Sequence, residues 1–230
     1  MTDPSIHRPG VSAHAAFPGR AELPLDTVSW GPGIPTDEEL RLIGAPAGKR
    51  ILQLGVGQGH NAVALARAGA RVIAVDDDLA RIDATRQLAD ATEVKIELHQ
   101  GDPADLAFLR ADMIDTAIAV YTLGRVDDLD RVLRLVNRVL RTSGGLVASF
   151  PHPVSLAVDS GSFDGPRVVR RYGDREPLAL GDLELHPRSI ADVFASFHRA
   201  NFRIDALLEP MGDSALLPGT LVVRGKKDGI

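Results

Sequence analysis

The sequence contains no cysteine. Disulfides, thiolate nucleophiles and cysteine-ligated zinc are therefore excluded. Aromatic residues make up only 4% of the 230 positions, so the core must be built from Val, Leu, Ile and Ala. No apolar run reaches the roughly 18–20 residues of a membrane span. The polar N-terminal stretch lacks the pattern of a signal peptide, and a cytoplasmic protein is the expectation. Positive charge is not in excess: the net charge is −5, which disfavours a nucleic-acid or anionic-membrane partner. Neither an Asp-Asp-His cluster nor a His-x-x-x-His spacing occurs, so no metal site is expected. What remains, 44% hydrophobic and 25% charged residues, suits a soluble core in one domain of roughly 150–250 residues.

The strongest positive signal is Ile51-Leu52-Gln53-Leu54-Gly55-Val56-Gly57-Gln58-Gly59. A β-compatible run enters three glycines at alternate positions, and a helical pattern opens at His60-Asn61. This reads as strand, tight loop and helix N-terminus, with glycines that let the backbone pass close under a ligand. The next apolar run, Arg71 to Val75, ends in Asp76. A carboxylate there can accept hydrogen bonds from both hydroxyls of a ribose. An adenosine-containing ligand at the carboxyl ends of a parallel sheet is the implication.

The chain alternates strand and helix from Lys49 onward. Strands are expected at 50–55, 71–76, 94–99, 114–120 and 145–150, with helices at about 60–69, 79–91 and 128–141. The last helix is clearest, with Leu129, Val132, Leu133, Val136, Val139 and Leu140 on one stripe. Asp127 and Asp128 stand at its start, Arg138 and Arg141 at its end, and Gly144-Gly145 should stop it. Thr36 with Glu39 looks like the capped start of an earlier helix. Such alternation gives a mostly parallel sheet with helices on both faces. Residues 1–30 look like a flexible N-terminal arm. Residues 151–187 break the rhythm and are expected to form a lid over the substrate, with a hairpin pairing Val168–Tyr172 with Leu183–His186. A helix at 188–200 and strands at 203–209 and 218–224 then close one sheet edge as an antiparallel pair.

Four phrases carry a family resemblance: Gly48 to Gly59, Gly69 to Asp76, Gly101-Asp102, and Leu140 to Leu146. Together they resemble the class I S-adenosylmethionine-dependent methyltransferases, with the flavour of the small-molecule subgroup that includes ubiquinone, menaquinone and natural-product enzymes. The resemblance covers about residues 30–150 well and 188–224 more loosely. The rival dinucleotide fingerprint needs Gly-x-Gly-x-x-Gly, whereas the spacing here is Gly-x-Gly-x-Gly. The implied fold is a Rossmann-like, seven-stranded, mostly parallel α/β sheet with an antiparallel last strand and a lid insertion after the fifth strand. The implied activity is methyl transfer from S-adenosyl-L-methionine to the oxygen or carbon of a small molecule.

By the same resemblance, Gly55, Val56, Gly57 and Gly59 underlie the methionine and ribose of the cofactor, and Asp76 holds the ribose. Asp102, with Pro103 beside it, meets the adenine. Val120 and Tyr121 border the methionine end. Two positions depart from the family. Gln53 replaces the first-strand acid that receives the cofactor's ammonium group, and Asp77 falls where an apolar side chain often lies on the adenine. A degenerate cofactor-binding or non-methylating relative on the same fold is therefore the alternative.

Two side chains are candidates for catalysis. His152, after the fifth strand, is placed for general-base work on a hydroxyl acceptor; otherwise it is a loop histidine fixed between two prolines. Tyr121 faces the same crevice, or only walls the cofactor. His186 and Tyr172 either touch substrate or lie on a solvated hairpin. Arg167, Arg170 and Arg171 either hold an acidic substrate or line an exposed face. Trp30 either packs over the cofactor or anchors the N-terminal segment. The oligomeric state and the methyl acceptor are left open.

Overall fold

Seven strands form one sheet in the order β10-β11-β5-β4-β1-β2-β3. These are β1 (Arg50–Leu54), β2 (Arg71–Asp76), β3 (Ile96–Gln100), β4 (Ile114–Val120), β5 (Leu140–Pro151), β10 (Phe202–Leu208) and β11 (Thr220–Lys227). They come from a computed structural model that describes Phe17 and residues 23–159, 165–180, 183–213 and 215–228. The first five strands pair parallel, and β11 runs antiparallel between β5 and β10. The expected mostly parallel sheet with a reversed last strand is thus what the chain forms.

Successive side chains along each central strand enter two separate cores. Leu52, Leu54, Ile73, Val75, Ala117 and Ala119 pack on one face. Ile51, Val72, Ala74 and Ile118 pack on the other. Both faces are dry, which is why these strands read as unbroken apolar runs rather than as alternating ones. The first face is covered by α4 (Leu129–Val139) and α6 (Ile190–Arg199), and the second by α2 (His60–Arg67), α3 (Leu79–Ala91) and Trp30. On α4 the expected stripe is buried at Leu129, Val132, Leu133, Val136 and Val139. Each such side chain contributes about 1.5–3 kcal/mol by leaving water. The Asp128 carboxylate caps the helix by accepting from Arg131 N at 2.9 Å.

Several boundaries differ from expectation. Helix α4 ends at Val139 and passes directly into β5, so Gly144-Gly145 stops nothing. A Cβ on Gly144 would come 2.9–3.0 Å from the carbonyl oxygens of Arg141 and Asp115, so the residue serves close packing where β5 shifts register against β4. The hairpin is also different. The short strand β6 (Val158–Asp159) pairs with β7 (Arg167–Val168), and β8 (Leu178–Leu180) pairs with β9 (Leu183–Leu185). Leu178, Leu180 and Leu185 pack together with Leu156 of α5 (Pro153–Ala157), and that small cluster sets the pairing.

Thr36 makes no capping bond to the single-turn helix α1 (Asp37–Leu40). Asp37 takes the junction instead, accepting from Leu42 N at 2.9 Å and from Trp30 Nε1 at 3.2 Å. Trp30, fully buried, is therefore an anchor of the N-terminal segment and does not cover a ligand. Ser29 N donates to Asn61 Oδ1 at 2.9 Å, and Asn61 Nδ2 donates back to Ser29 O at 3.1 Å. Within the stretch expected to be a flexible arm, Ser29 and Trp30 are thus held to the body of the domain; residues 1–16 and 18–22 lie outside the described residues. Among the described residues no helix is long and apolar enough to cross a membrane.

Candidate active site

The site forms where β1, β2 and β4 end side by side. The loop from Gly55 leaves β1 with φ of +73° at Gly55, +56° at Gly57 and +87° at Gly59. These left-handed conformations favour glycine. A second demand comes from packing. A Cβ on Gly55 would lie 2.0 Å from Thr122 Oγ1, and one on Gly59 would lie 2.9 Å from Thr85. Thr122 Oγ1 in turn donates to Leu54 O at 2.9 Å, tying the end of β4 to the end of β1. The glycines are thus needed as much for the neighbouring threonines as for a ligand.

Asp76 is 1% exposed and clamps the loop. Its carboxylate accepts from Val56 N at 2.8 Å, from Asp78 N at 3.0 Å and from Arg81 Nη1 at 3.5 Å. Burial pushes its pKa up, and the two backbone donors pull it back. A carboxylate offers about four lone-pair positions, so a minority remains for a ligand. Asp78 is the cap of α3, accepting from Ala80 N and Arg81 N. Asp77 is exposed to solvent.

The crevice has two halves. The inner half is small, about 40 Å³, and is bordered by Gln53, the Gly55–Gly57 loop, His60, Val120 and Tyr121, with Phe17 and Leu23 above. The outer half is an open cleft of about 500 Å³ bordered by Asp77, Asp102, Pro103, Asp127, Glu184 and His186. Gly55, Asp76, Thr122 and Arg125 border both. Every residue expected to meet a cofactor except Gly59 thus lines one half or the other. In the inner half Gln53 Nε2 donates to Gly55 O at 3.0 Å, while its Oε1 is buried with no partner. That free acceptor is suited to an incoming N–H donor.

The two candidate catalysts are placed otherwise. His152 is buried at 1% exposure and borders neither half. Val154 N donates to its Nδ1 at 3.2 Å, which assigns the proton to Nε2, and Nε2 lies 2.8 Å from Glu209 Oε1. Both nitrogens are occupied, and the lone pair that a base needs is spent capping α5. In this arrangement His152 fixes the loop after β5 and stands apart from the crevice. Tyr121 does border the crevice. Its hydroxyl is 2.7 Å from Thr220 Oγ1, and burial raises its pKa, so it stays a neutral phenol. Its ring meets Phe17 edge-on at 5.4 Å.

The insertion contributes His186, between Asp127 (3.4 Å) and Glu184 (3.1 Å). Tyr172 instead accepts from Ile190 N, Arg170 pairs with Asp174, and none of Arg167, Arg170 or Arg171 borders the crevice. Sequence reasoning missed Phe17, Thr122 and Arg125. The last two were accessible, since Thr122–Arg125 forms a 3-10 turn directly after β4 at the same sheet edge.

A family model described as "Methyltransferase domain" matches residues 52–148. Those residues run from β1 into β5 and contain the glycine loop, Asp76, Asp102 and Arg125. Over those residues the chain is similar to the methyltransferase domain. The demethylmenaquinone methyltransferase of Thermobifida fusca is 32% identical over 141 residues, covering 57% of this chain and 58% of the relative. A protein of Talaromyces variabilis named S-adenosyl-L-methionine-dependent Diels-Alderase is 32% identical over 127 residues, covering 50% of this chain and 43% of the relative. The chain thus spans about half the length of these relatives. A crystal structure of an S-adenosylmethionine-dependent methyltransferase from Mesorhizobium loti superposes with a TM-score of 0.72 at 23% identity, covering 82% of this chain and 96% of that one. That likeness extends the methyltransferase fold beyond residue 148, through the antiparallel edge of the sheet.

Proposed function

We propose that this protein binds S-adenosyl-L-methionine and transfers its methyl group to the oxygen or carbon of a small-molecule acceptor. The observation that carries the reading is the crevice itself: a glycine loop clamped by Asp76, an unpartnered buried acceptor on Gln53, and an outer cleft large enough for a nucleoside. The residues fit the cofactor group by group. Gln53 Oε1 suits the ammonium, the remaining lone pair of Asp76 suits a ribose hydroxyl, and Asp102 with Pro103 suits adenine. The N-terminus of α2 beside His60 favours the carboxylate.

When bound, the cofactor supplies the electrophilic methyl group. The protein's part is alignment and exclusion of water. Phe17, Leu23 and Leu183 roof the inner half, and Tyr121 walls it. His152 and Tyr121 are both hydrogen-bonded away and offer no general base, whereas His60 borders the inner half with an unpartnered Nδ1; an acceptor that is already anionic or that reacts through carbon would need no base. The test is incubation with methyl-labelled cofactor and candidate phenols, enols and acids, followed by detection of labelled product and S-adenosylhomocysteine.

A second reading is supported by the name of the Talaromyces relative, which links the cofactor to cyclisation. In that case the cofactor binds but its methyl group is not consumed. Product forming while S-adenosylhomocysteine stays at background would establish this reading and overturn the first.

A further inference from the structure

Arg125 is the one cation among the four residues that border both halves of the crevice. It is half-buried, yet its guanidinium has neither an ion pair nor a hydrogen bond among the described residues. Most other partly buried arginines among the described residues have partners, Arg50 at the opposite end of β1 excepted. Arg138 donates to Leu109 O and Leu106 O, Arg188 to His186 O and Asp127 O, and Arg81 pairs with Asp76 and Asp78. A guanidinium holds five donors in a planar fork that matches a carboxylate. With no partner among the described residues, that fork is free to meet an acceptor supplied by a ligand.

The backbone under Arg125 is fixed. Thr122 at the start of its turn is bonded to β1, and His186 N of the insertion donates to Gly124 O at 2.9 Å. The guanidinium therefore stands at a defined place between the cofactor loop and the insertion. On its inner side lie Tyr121, Phe17 and Leu183, an apolar and aromatic surround. On its outer side lie Asp127 and Asp128, which repel anions. Arg81 on the inner side is paired with Asp76 and Asp78, and Arg131 borders only the outer half, so Arg125 is the unpaired cation placed to hold an anionic group whose apolar body is directed inward.

Resting on the methyltransfer reading above, we propose that Arg125 is the specificity residue of this crevice and holds the carboxylate of an acidic, aromatic methyl acceptor. The cofactor's own carboxylate has the same chemistry, and the experiment separates the two. The full-length wild type, Arg125→Gln and Arg125→Lys are titrated calorimetrically with 4-hydroxybenzoate and with its neutral isostere 4-hydroxybenzamide. Both titrations are run with and without saturating S-adenosylhomocysteine, and S-adenosylhomocysteine is titrated separately.

The wild type is expected to prefer the acid by about tenfold or more, as a charge-assisted bidentate pair would give. Arg125→Gln should erase that preference and Arg125→Lys restore part of it. Affinity for S-adenosylhomocysteine should stay within about threefold and the melting temperature unchanged, since the guanidinium has no partner to lose. A wild type without acid preference overturns the proposal. So does a variant that loses S-adenosylhomocysteine affinity while keeping the preference, which would assign Arg125 to the cofactor. A large drop in melting temperature overturns it too, by making Arg125 structural. An acid preference that vanishes in Arg125→Gln although S-adenosylhomocysteine gives no heat supports the anion site and rejects the cofactor reading instead.

Discussion

Asp76 does two jobs through one carboxylate. It holds Val56 N and Asp78 N, and in the proposed function what remains serves a ribose. Asp76→Ala is therefore expected to weaken S-adenosylmethionine binding by about 30- to 1000-fold, or about 2–4 kcal/mol. It should also lower the melting temperature of the ligand-free protein, since a buried amide and a partly buried one lose their acceptor. Calorimetry and a thermal melt on the same sample check both, and an unchanged melt would reject the clamp. Gln53 is linked to the same loop through Gly55 O. Gln53→Glu removes that donor and sets a carboxylate against a carbonyl. A loss of about 1–3 kcal/mol in urea denaturation is expected; stability at or above wild type would show that the bond is not made.

His152 makes a pH prediction. Burial holds its pKa below the ordinary value, with Glu209 opposing in part. Below about pH 6.5 the unfolded chain then binds more protons at this residue than the folded chain does. Its share of stability is complete above about pH 6.5 and declines as pH falls through the lower folded value. Urea midpoints of wild type and His152→Asn between about pH 5 and 8 should converge on the acid side; a constant gap would contradict this. Activity of the variant should fall by less than about tenfold, well short of the 10²–10⁴ expected of a lost base. The distance of His152 from the crevice has a physical origin. Position after β5 was visible in the sequence, but the capping bond to Val154 N and the reach of Glu209 from the segment after β10 were not.

At the scale of elements, the central strands and α4 were legible because burial imposes a period or an unbroken run on the sequence. The insertion was not, because its pairing is set by a cluster of four leucines rather than by alternation. β9 ends in Leu185, 1% exposed against Leu156, and carries Leu183 and Glu184 to the crevice. Leu185→Ala is expected to cost about 2–5 kcal/mol at that contact, loosening the β8–β9 hairpin. KM for an acceptor should rise while cofactor affinity stays within about threefold, because Asp76, Gln53 and the glycine loop lie on other elements. Matched losses in both would mean that the hairpin supports the cofactor half as well.

At the scale of the whole molecule, the sheet order brings the ends of β1, β2 and β4 to one edge, and the insertion after β5 returns over it. The fold was readable because four short phrases recur at the spacing that this order requires. The choice between methyl transfer and cofactor-dependent cyclisation was not readable, since the loop and carboxylate speak to the cofactor and not to the reaction. Common to both is occupation of the crevice by S-adenosylmethionine, so titration calorimetry of the full chain with S-adenosylmethionine, and with NAD in parallel, is the most direct test. The account predicts a saturable heat with S-adenosylmethionine, lost in Asp76→Ala, and none with NAD. No heat with S-adenosylmethionine at about 1 mM, meaning binding weaker than about −4.1 kcal/mol, would contradict it.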